Sequence, residues 1–173
     1  MQRGKADKVA RPIGLTDKKL TRILNLPERT LRRLSSVLTA LQPMMKVGIK
    51  DGDRVLITAA GGGVGHFAVQ FAKYFGAHVI ALASKGKMDF VTSLGADEFV
   101  DYQQGRFEQQ IADVDLAVEA VKQDRHIQRS MQVVKPGGSL ISLWSHVNDE
   151  ERAEADRRNA MHSIIWYFQL GRI

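Results

Sequence analysis

The feature that most restricts the fold of this chain is an apolar run that leads directly into a cluster of glycines. Residues 54–58 are predicted to form a buried strand, and residues 61–65 contain four glycines. Apolar residues then recur at helical spacing from Phe67 to Phe75. Glycines at such a turn leave room for an anion, and the start of the helix offers free backbone N–H groups. The segment predicts a phosphate-binding turn, with a tight turn that binds no ligand as the alternative.

Short apolar runs alternate with helical patterns over the rest of the chain. Further strands are predicted at residues 78–82, 98–100, 115–118, 139–143 and 163–168. Further helices are predicted at residues 88–94, 124–134 and 149–160, the second of them ending at Lys135-Pro-Gly-Gly138. Such alternation is typical of a parallel sheet covered by helices on both faces. We therefore predict an α/β fold, a Rossmann doubly wound parallel sheet of six strands.

A basic, helical segment precedes this pattern. Residues 1–35 hold ten Lys or Arg and three acidic residues, a net charge of +7, whereas the rest of the chain has a net charge of −1. Apolar spacing predicts helix over residues 15–47, with a break at residues 25–27 and a kink or a restart at Pro43. We divide the chain into a basic arm, residues 1–35, and a Rossmann domain, residues 36–173.

The basic arm also resembles a DNA-binding unit. Residues 15–34 are similar to a helix-turn-helix whose second helix would present Arg29, Arg32 and Arg33 to a major groove. An amphipathic basic helix that packs on the body of the protein explains the same pattern equally well. Contact with nucleic acid through this segment is therefore one of two interpretations that the sequence allows.

The composition excludes several classes of protein. The chain has no Cys, which excludes disulfides, thiolate zinc sites and cysteine nucleophiles. Apolar runs such as residues 164–168 are far shorter than the roughly 20 residues that span a bilayer, so no membrane segment is predicted. The His residues show no spacing typical of metal ligands. We therefore predict that they lie on the surface or in helices and form no metal site: His66, His78, His126, His146 and His162. We expect a cytoplasmic protein.

The glycine cluster fits the turn that binds the pyrophosphate of a dinucleotide. Gly62 and Gly65 occupy the second and third glycine positions of that fingerprint, and Ala60 occupies the first. Gly63 and Val64 complete the turn at the start of the helix. A strand before the glycines and a helix after them make the match specific.

The end of the second predicted strand indicates which dinucleotide binds. A carboxylate there would bind the ribose 2′-hydroxyl of NAD and repel the 2′-phosphate of NADP. This chain has Ser84, Lys85 and Lys87 instead, and its first acid is Asp89. A hydroxyl and two ammonium groups favour NADP(H). The alternative is that the lysines are solvated residues at the start of a helix.

Residues from about 36 to 168 resemble the coenzyme domain of medium-chain dehydrogenases/reductases, in the zinc-independent branch that is similar to quinone oxidoreductases. The matching segments are Gly52-Asp-Arg-Val-Leu-Ile57, Ala60-Gly-Gly-Gly-Val-Gly-His-Phe-Ala-Val-Gln-Phe-Ala-Lys73, Ser93-Leu-Gly-Ala-Asp97, Asp101-Tyr102 and Lys135-Pro-Gly-Gly-Ser-Leu-Ile141. The resemblance implies that Ser84, Lys87 and Tyr102 surround the 2′-phosphate. It also implies that the loop with Ala120 and Val121, and the segment with Leu143 and Trp144, approach the nicotinamide.

The resemblance further implies a reductase that transfers hydride from NADPH to a small carbonyl or quinone acceptor. Members of the family carry a β-rich catalytic domain before this point, and the substrate cleft lies between the two domains. We therefore expect cofactor binding, while the family's substrate-binding residues have no counterparts here. The alternative is an inactive NADP(H)-binding regulator or scaffold whose basic arm contacts a partner or DNA. In the family the sixth strand pairs across a two-fold axis, so residues 163–168 imply a homodimer.

Overall fold

The computed structural model describes residues 34–121, 126–143, 149–151, 153 and 163–166. The basic arm as far as residue 33, with its DNA-binding interpretation, lies outside the described residues. So does Trp144. Among the described residues, no helix is both long enough and apolar enough to cross a lipid bilayer.

The described elements alternate between strands and helices from residue 54 onward. The helices are α1 (Leu34–Val47), α2 (Gly65–Tyr74), α3 (Met88–Ser93) and α4 (His126–Val133), and residues 149–151 and 153 are also helical. The strands are β1 (Arg54–Thr58), β2 (His78–Ala83), β3 (Glu98–Asp101), β4 (Val114–Glu119), β5 (Val134–Ser142) and β6 (Ser163–Trp166). Short 3₁₀ turns cover Lys85–Lys87, Tyr102–Gln104 and Phe107–Gln109.

The strands form one six-stranded sheet in the order β3-β2-β1-β4-β5-β6. Every neighbouring pair is parallel. This is the strand order of the Rossmann fold. Consecutive strands are added outward from β1 to β3 on one side and outward from β4 to β6 on the other, so the order reverses between β1 and β4. The predicted fold class is therefore confirmed, and the reversal opens a crevice at the carboxyl ends of these two strands.

Helices cover both faces of the sheet because successive strand residues point to opposite sides. In β1, Val55 and Ile57 join the core beneath α1, α2 and α3, whereas Leu56 joins the core beneath α4. The first core includes Met44 of α1 and Phe71 of α2, both fully buried. Helix α1 thus packs as part of the sheet's covering layer.

Three features differ from those expected from the sequence. Helix α1 runs without interruption through Pro43, so the restart that was one of the two expectations there does not occur. Strand β5 begins at Val134 and not at residue 139, because Val134 pairs with Val114 before the register shifts. That irregularity accommodates the Pro-Gly-Gly stretch inside the strand. Strand β4 includes Glu119, which was expected to lie in the following loop.

Candidate functional site

The residues predicted to bind the cofactor all follow the carboxyl ends of parallel strands. The glycine turn follows β1, Ser84 to Lys87 follow β2, Tyr102 follows β3, Ala120 and Val121 follow β4, and Leu143 follows β5. The carboxyl ends of parallel strands lie at one edge of a sheet. The structure therefore brings these groups to the same edge, where ligands bind in open α/β sheets.

The turn after β1 is tight and is closed by its own backbone. Ala59 has a φ of +47°, a left-handed conformation that is rare for a residue with a side chain. Its carbonyl accepts a hydrogen bond of 2.8 Å from the Gly62 N–H. A Cβ atom on Gly65 would lie 2.1 Å from the same carbonyl oxygen. Glycine at position 65 is thus required by the close approach of α2 to the end of β1.

The start of α2 offers backbone donors to an anion. Within the part of the chain that the structure describes, the N–H groups of Gly63, Val64 and Gly65 have no hydrogen-bond acceptor. A Cβ atom on Gly63 would meet nothing within 4 Å. The Gly62 carbonyl accepts two hydrogen bonds from His66, from Nδ1 of the imidazole at 2.6 Å and from the backbone N–H at 3.2 Å. Free donors at a helix N-terminus, beside a glycine with open space, fit a phosphate group.

A lysine from the turn after β2 lies on the glycine loop. A Cβ atom on Gly61 would lie 2.9 Å from Cγ of Lys87, so the stem of this lysine packs directly against the bare glycine. Its Nζ lies 5.8 Å from the centre of the Phe90 ring. Lys85 and Tyr102 are exposed at the same edge, and Ser84 begins the 3₁₀ turn with its carbonyl accepting from the Lys87 N–H at 2.8 Å.

The ends of β4 and β5 form the other side of the crevice. The Ala120 N–H donates to Oγ1 of Thr58 at 3.0 Å, and the Leu143 N–H donates to the Glu119 carbonyl at 3.0 Å. Val121 is half-buried, whereas Leu143 is buried in the core. Among the described residues, backbone groups and apolar side chains thus border this half of the site.

A buried polar cluster beneath the crevice was missed by sequence reasoning. Glu119 is only 1% exposed and contacts His126 and Ser130 of α4 and Thr58 of β1. His126 is a helix residue as expected, but it is buried and paired. The signal was present in the sequence, because an acid ends an otherwise apolar strand and His126 and Ser130 stand four residues apart on one helix face.

The comparisons with known proteins agree with this geometry. A family model described as zinc-binding dehydrogenase matches residues 63–156, more than half of the 173 residues. The chain belongs to this family, which confirms the resemblance to medium-chain dehydrogenases/reductases.

Two of the curated relatives are named as a reductase and as a quinone oxidoreductase homolog. The chain is 37% identical over 111 residues to 2-methylene-furan-3-one reductase from Solanum lycopersicum, which is 63% of this chain and 28% of that protein. It is 52% identical over 71 residues to the chloroplast envelope quinone oxidoreductase homolog from Arabidopsis thaliana, 38% of this chain and 22% of that protein. The chain thus spans less than a third of these two relatives.

Solved structures show the same domain. The quinone oxidoreductase from Coxiella burnetii superposes with a TM-score of 0.71 at 33% identity, over 80% of this chain and 43% of that one. The quinone oxidoreductase from Thermus thermophilus, whose structure was also determined in complex with NADPH, superposes with a TM-score of 0.63 at 26% identity. That match covers 78% of this chain and 43% of that one.

The residues present do not fit the zinc in the family's description. The chain has no Cys to serve as a thiolate ligand. Among the described residues, no group of three or more His, Asp or Glu side chains lies close enough together to hold a metal ion.

Proposed function

We propose that this chain binds NADP(H) at the carboxyl edge of its sheet, as the coenzyme domain of a reductase. The observation that carries this proposal is the set of free N–H groups at Gly63, Val64 and Gly65, beside the lysine that packs on Gly61. These donors would bind the pyrophosphate, with the positive end of the α2 dipole behind them. The names of the similar reductases support the same assignment.

The groups after β2 would select NADPH over NADH. Ser84, Lys85 and Lys87 offer a hydroxyl and two ammonium groups where the ribose 2′ position is held in Rossmann domains, and Tyr102 lies at the same edge. A carboxylate would repel a 2′-phosphate, and none stands at this strand end before Asp89. The 2′-phosphate would therefore gain charge-assisted hydrogen bonds that NADH cannot form.

The bound cofactor would supply hydride from its nicotinamide ring to a small quinone or enone acceptor. The residues of this chain would bind and orient the cofactor, and Ala120, Val121, Leu143 and Trp144 would border the nicotinamide. The acceptor would bind in a cleft that this domain shares with a catalytic domain, as the resemblance implies. Substrate-contacting residues are therefore assigned to that second domain.

Titration with NADPH and NADH tests the proposal. We expect the full chain to enhance nicotinamide fluorescence with NADPH at lower concentrations than with NADH. Substitution Lys87→Ala should weaken NADPH binding about tenfold, because it removes a charged hydrogen-bond donor, and should change NADH binding less than about twofold.

Lys50→Ala is the matched control, since it removes one exposed lysine that precedes β1, at the opposite edge of the sheet. It should leave both affinities unchanged. Equal weakening of NADPH and NADH by Lys87→Ala would contradict the phosphate role, and no binding of either dinucleotide to the unchanged chain would overturn the proposal.

We also propose a homodimer that forms through β6. This strand stands at one end of the strand order, so within the described sheet one of its edges is unpaired. Pairing with the same strand of a second copy would make one continuous sheet. Light scattering should give a mass of about two chains, and a mass equal to one chain would contradict the dimer. The cytoplasmic location stays a prediction.

A further inference from the structure

The cluster around Glu119 is a carboxylate held by several donors in the interior of the protein. His126 donates from Nδ1 to Glu119 Oε2 at 2.8 Å, and the Ser130 hydroxyl donates to Oε1. Ser130 is fully buried and His126 is 6% exposed. Buried polar groups are stable in such surroundings only when hydrogen-bond partners compensate for lost hydration. The carboxylate therefore ties the end of β4 to the first two turns of α4.

The same carboxylate also reaches β1 across the reversal of strand order. Thr58, the last residue of β1, is fully buried, and its Oγ1 lies 3.4 Å from both Glu119 Oε2 and the Val118 carbonyl oxygen. That Oγ1 accepts the 3.0 Å hydrogen bond from the Ala120 N–H. The Thr58 hydroxyl thus donates towards these two oxygens, and its own oxygen accepts the hydrogen bond from the Ala120 N–H. Ala120 is the first residue beyond β4, so its position depends on this chain of contacts.

Two further observations indicate that this region is held in one geometry. Ala59 follows Thr58 directly and keeps its φ of +47°, a conformation that persists only where the surroundings impose it. On the other side of His126, the Phe107 ring stacks at 5.3 Å between centroids. The guanidinium of Arg129 lies 4.4 Å from the centre of the same Phe107 ring. The imidazole is therefore fixed by a ring contact as well as by its hydrogen bond.

We propose that Glu119 is a positioning residue for the nicotinamide half of the cofactor. It holds Thr58, His126 and Ser130, and through Thr58 it fixes the position of the Ala120 peptide relative to the glycine turn. The nicotinamide half would enter the crevice between that peptide and the turn. This inference rests on the proposed binding of NADP(H). The cluster is not a nucleophilic triad, because the hydroxyl of Ser130 contacts the carboxylate and not the imidazole.

The test compares two ligands on the Glu119→Gln chain. NADPH carries both halves of the cofactor, whereas adenosine 2′,5′-bisphosphate carries the phosphate that Lys87 would bind and no nicotinamide. Glutamine keeps the volume of Glu119 but loses the charge and one acceptor. We expect NADPH affinity to fall about tenfold, with a weaker nicotinamide emission at saturation, and bisphosphate affinity to stay within about twofold.

Glu98→Gln serves as the matched control, since it makes the same exchange of side chain at the amino end of β3, where Glu98 pairs with His78 and Arg54 and not with the cluster around Glu119. It should leave the ratio of the two affinities unchanged. Ser130→Ala keeps the carboxylate and removes one donor, and Ser130→Thr restores that donor. The first should shift the ratio in the direction of Glu119→Gln, and the second should reverse the shift.

Equal weakening of NADPH and the bisphosphate, or no weakening of either, would overturn the positioning role. An unchanged ratio in Ser130→Ala would also contradict it, which keeps the test decisive if Glu119→Gln does not fold. Failure of the unchanged chain to bind NADPH is a different result. It would overturn the proposed function, and this inference with it.

Discussion

Replacing Gly65 by alanine is expected to destabilise the protein by about 3 kcal/mol or more. The new Cβ would lie 2.1 Å from the Ala59 carbonyl oxygen and 2.8 Å from Cα of Ala60. Both are backbone atoms, so relief requires α2 to move away from the end of β1. Because Phe67 and Phe71 of that helix are part of the core, the movement would loosen the packing beneath α1 as well. Urea unfolding followed by far-ultraviolet circular dichroism would measure the loss.

Gly63→Ala is the matched control for this prediction. A Cβ atom there meets nothing within 4 Å and Gly63 does not have a positive φ, so the free energy of unfolding should change by less than about 0.5 kcal/mol. The two substitutions separate two reasons for a glycine in the same turn. Gly65 is required by the close approach of the protein's own backbone, whereas Gly63 only leaves room for a ligand. An unfolding midpoint for Gly65→Ala equal to that of the unchanged chain would contradict the close approach.

The second large effect is expected at Glu108, which lies between two arginines. Its carboxylate accepts hydrogen bonds from Nε of Arg106 at 2.8 Å and Nε of Arg129 at 2.9 Å, and its side chain is only 3% exposed. Burial by itself raises the pKa of this carboxyl, but the hydrogen bonds from Arg129, its own backbone and Arg106 outweigh it and lower the pKa from 4.5 to about 2. The folded protein therefore favours the ionised form.

The pH dependence of stability follows from this shift. Because the folded pKa is lower than the unfolded one, the stabilisation is fully present above a pH of about 4.5 and is lost as the pH falls towards 2. Glu108→Gln should lower the free energy of unfolding at pH 7 by up to about 3 kcal/mol. The difference from the unchanged chain should shrink between pH 4.5 and 2, as measured by urea unfolding across that range.

Glu98→Gln provides an exposed comparison for Glu108. Glu98 pairs with His78 and Arg54, but its side chain is 44% exposed, so its loss should cost less than about 1 kcal/mol. A destabilisation by Glu108→Gln that is small at pH 7, or that stays constant down to pH 2, would show that the arginine pairs do not stabilise the fold through the ionised carboxylate.

The layout of the sheet was predictable because it depends on patterns that span many residues. Apolar runs separated by helical spacing indicated a parallel sheet, and five of the six strands begin within one residue of their predicted positions. The glycine turn was recognisable because a strand, four glycines and a helix follow one another without interruption. Such signals are local, so no tertiary contact is needed to read them.

Features that depend on contacts between distant segments were not predictable in the same way. Val134 joins β5 early because Val114 is there to pair with it, and nothing near Val134 in the sequence indicates that pairing. Glu119 was expected to lie just beyond the fourth strand, yet it ends that strand and is buried because His126, Ser130 and Thr58 supply its partners. The role of Gly65 against Ala59 also depends on the angle at which α2 leaves the sheet.

The junction between β1 and β4 has a consequence for how the protein unfolds. One half of the sheet, β1 to β3, comes from the first part of the chain, and the other half, β4 to β6, comes from the second. Side-chain hydrogen bonds fasten the junction at both ends, from the Arg54 N–H to Asp115 at 3.0 Å and from the Ala120 N–H to Thr58 at 3.0 Å. The two halves of the sheet are therefore joined along one seam, and a single core beneath α1 and α2 includes residues of both halves, such as Val79 and Ile141. We expect a molecule that binds across the carboxyl end of this seam to contact both halves, so amide hydrogen exchange should slow in both of them together.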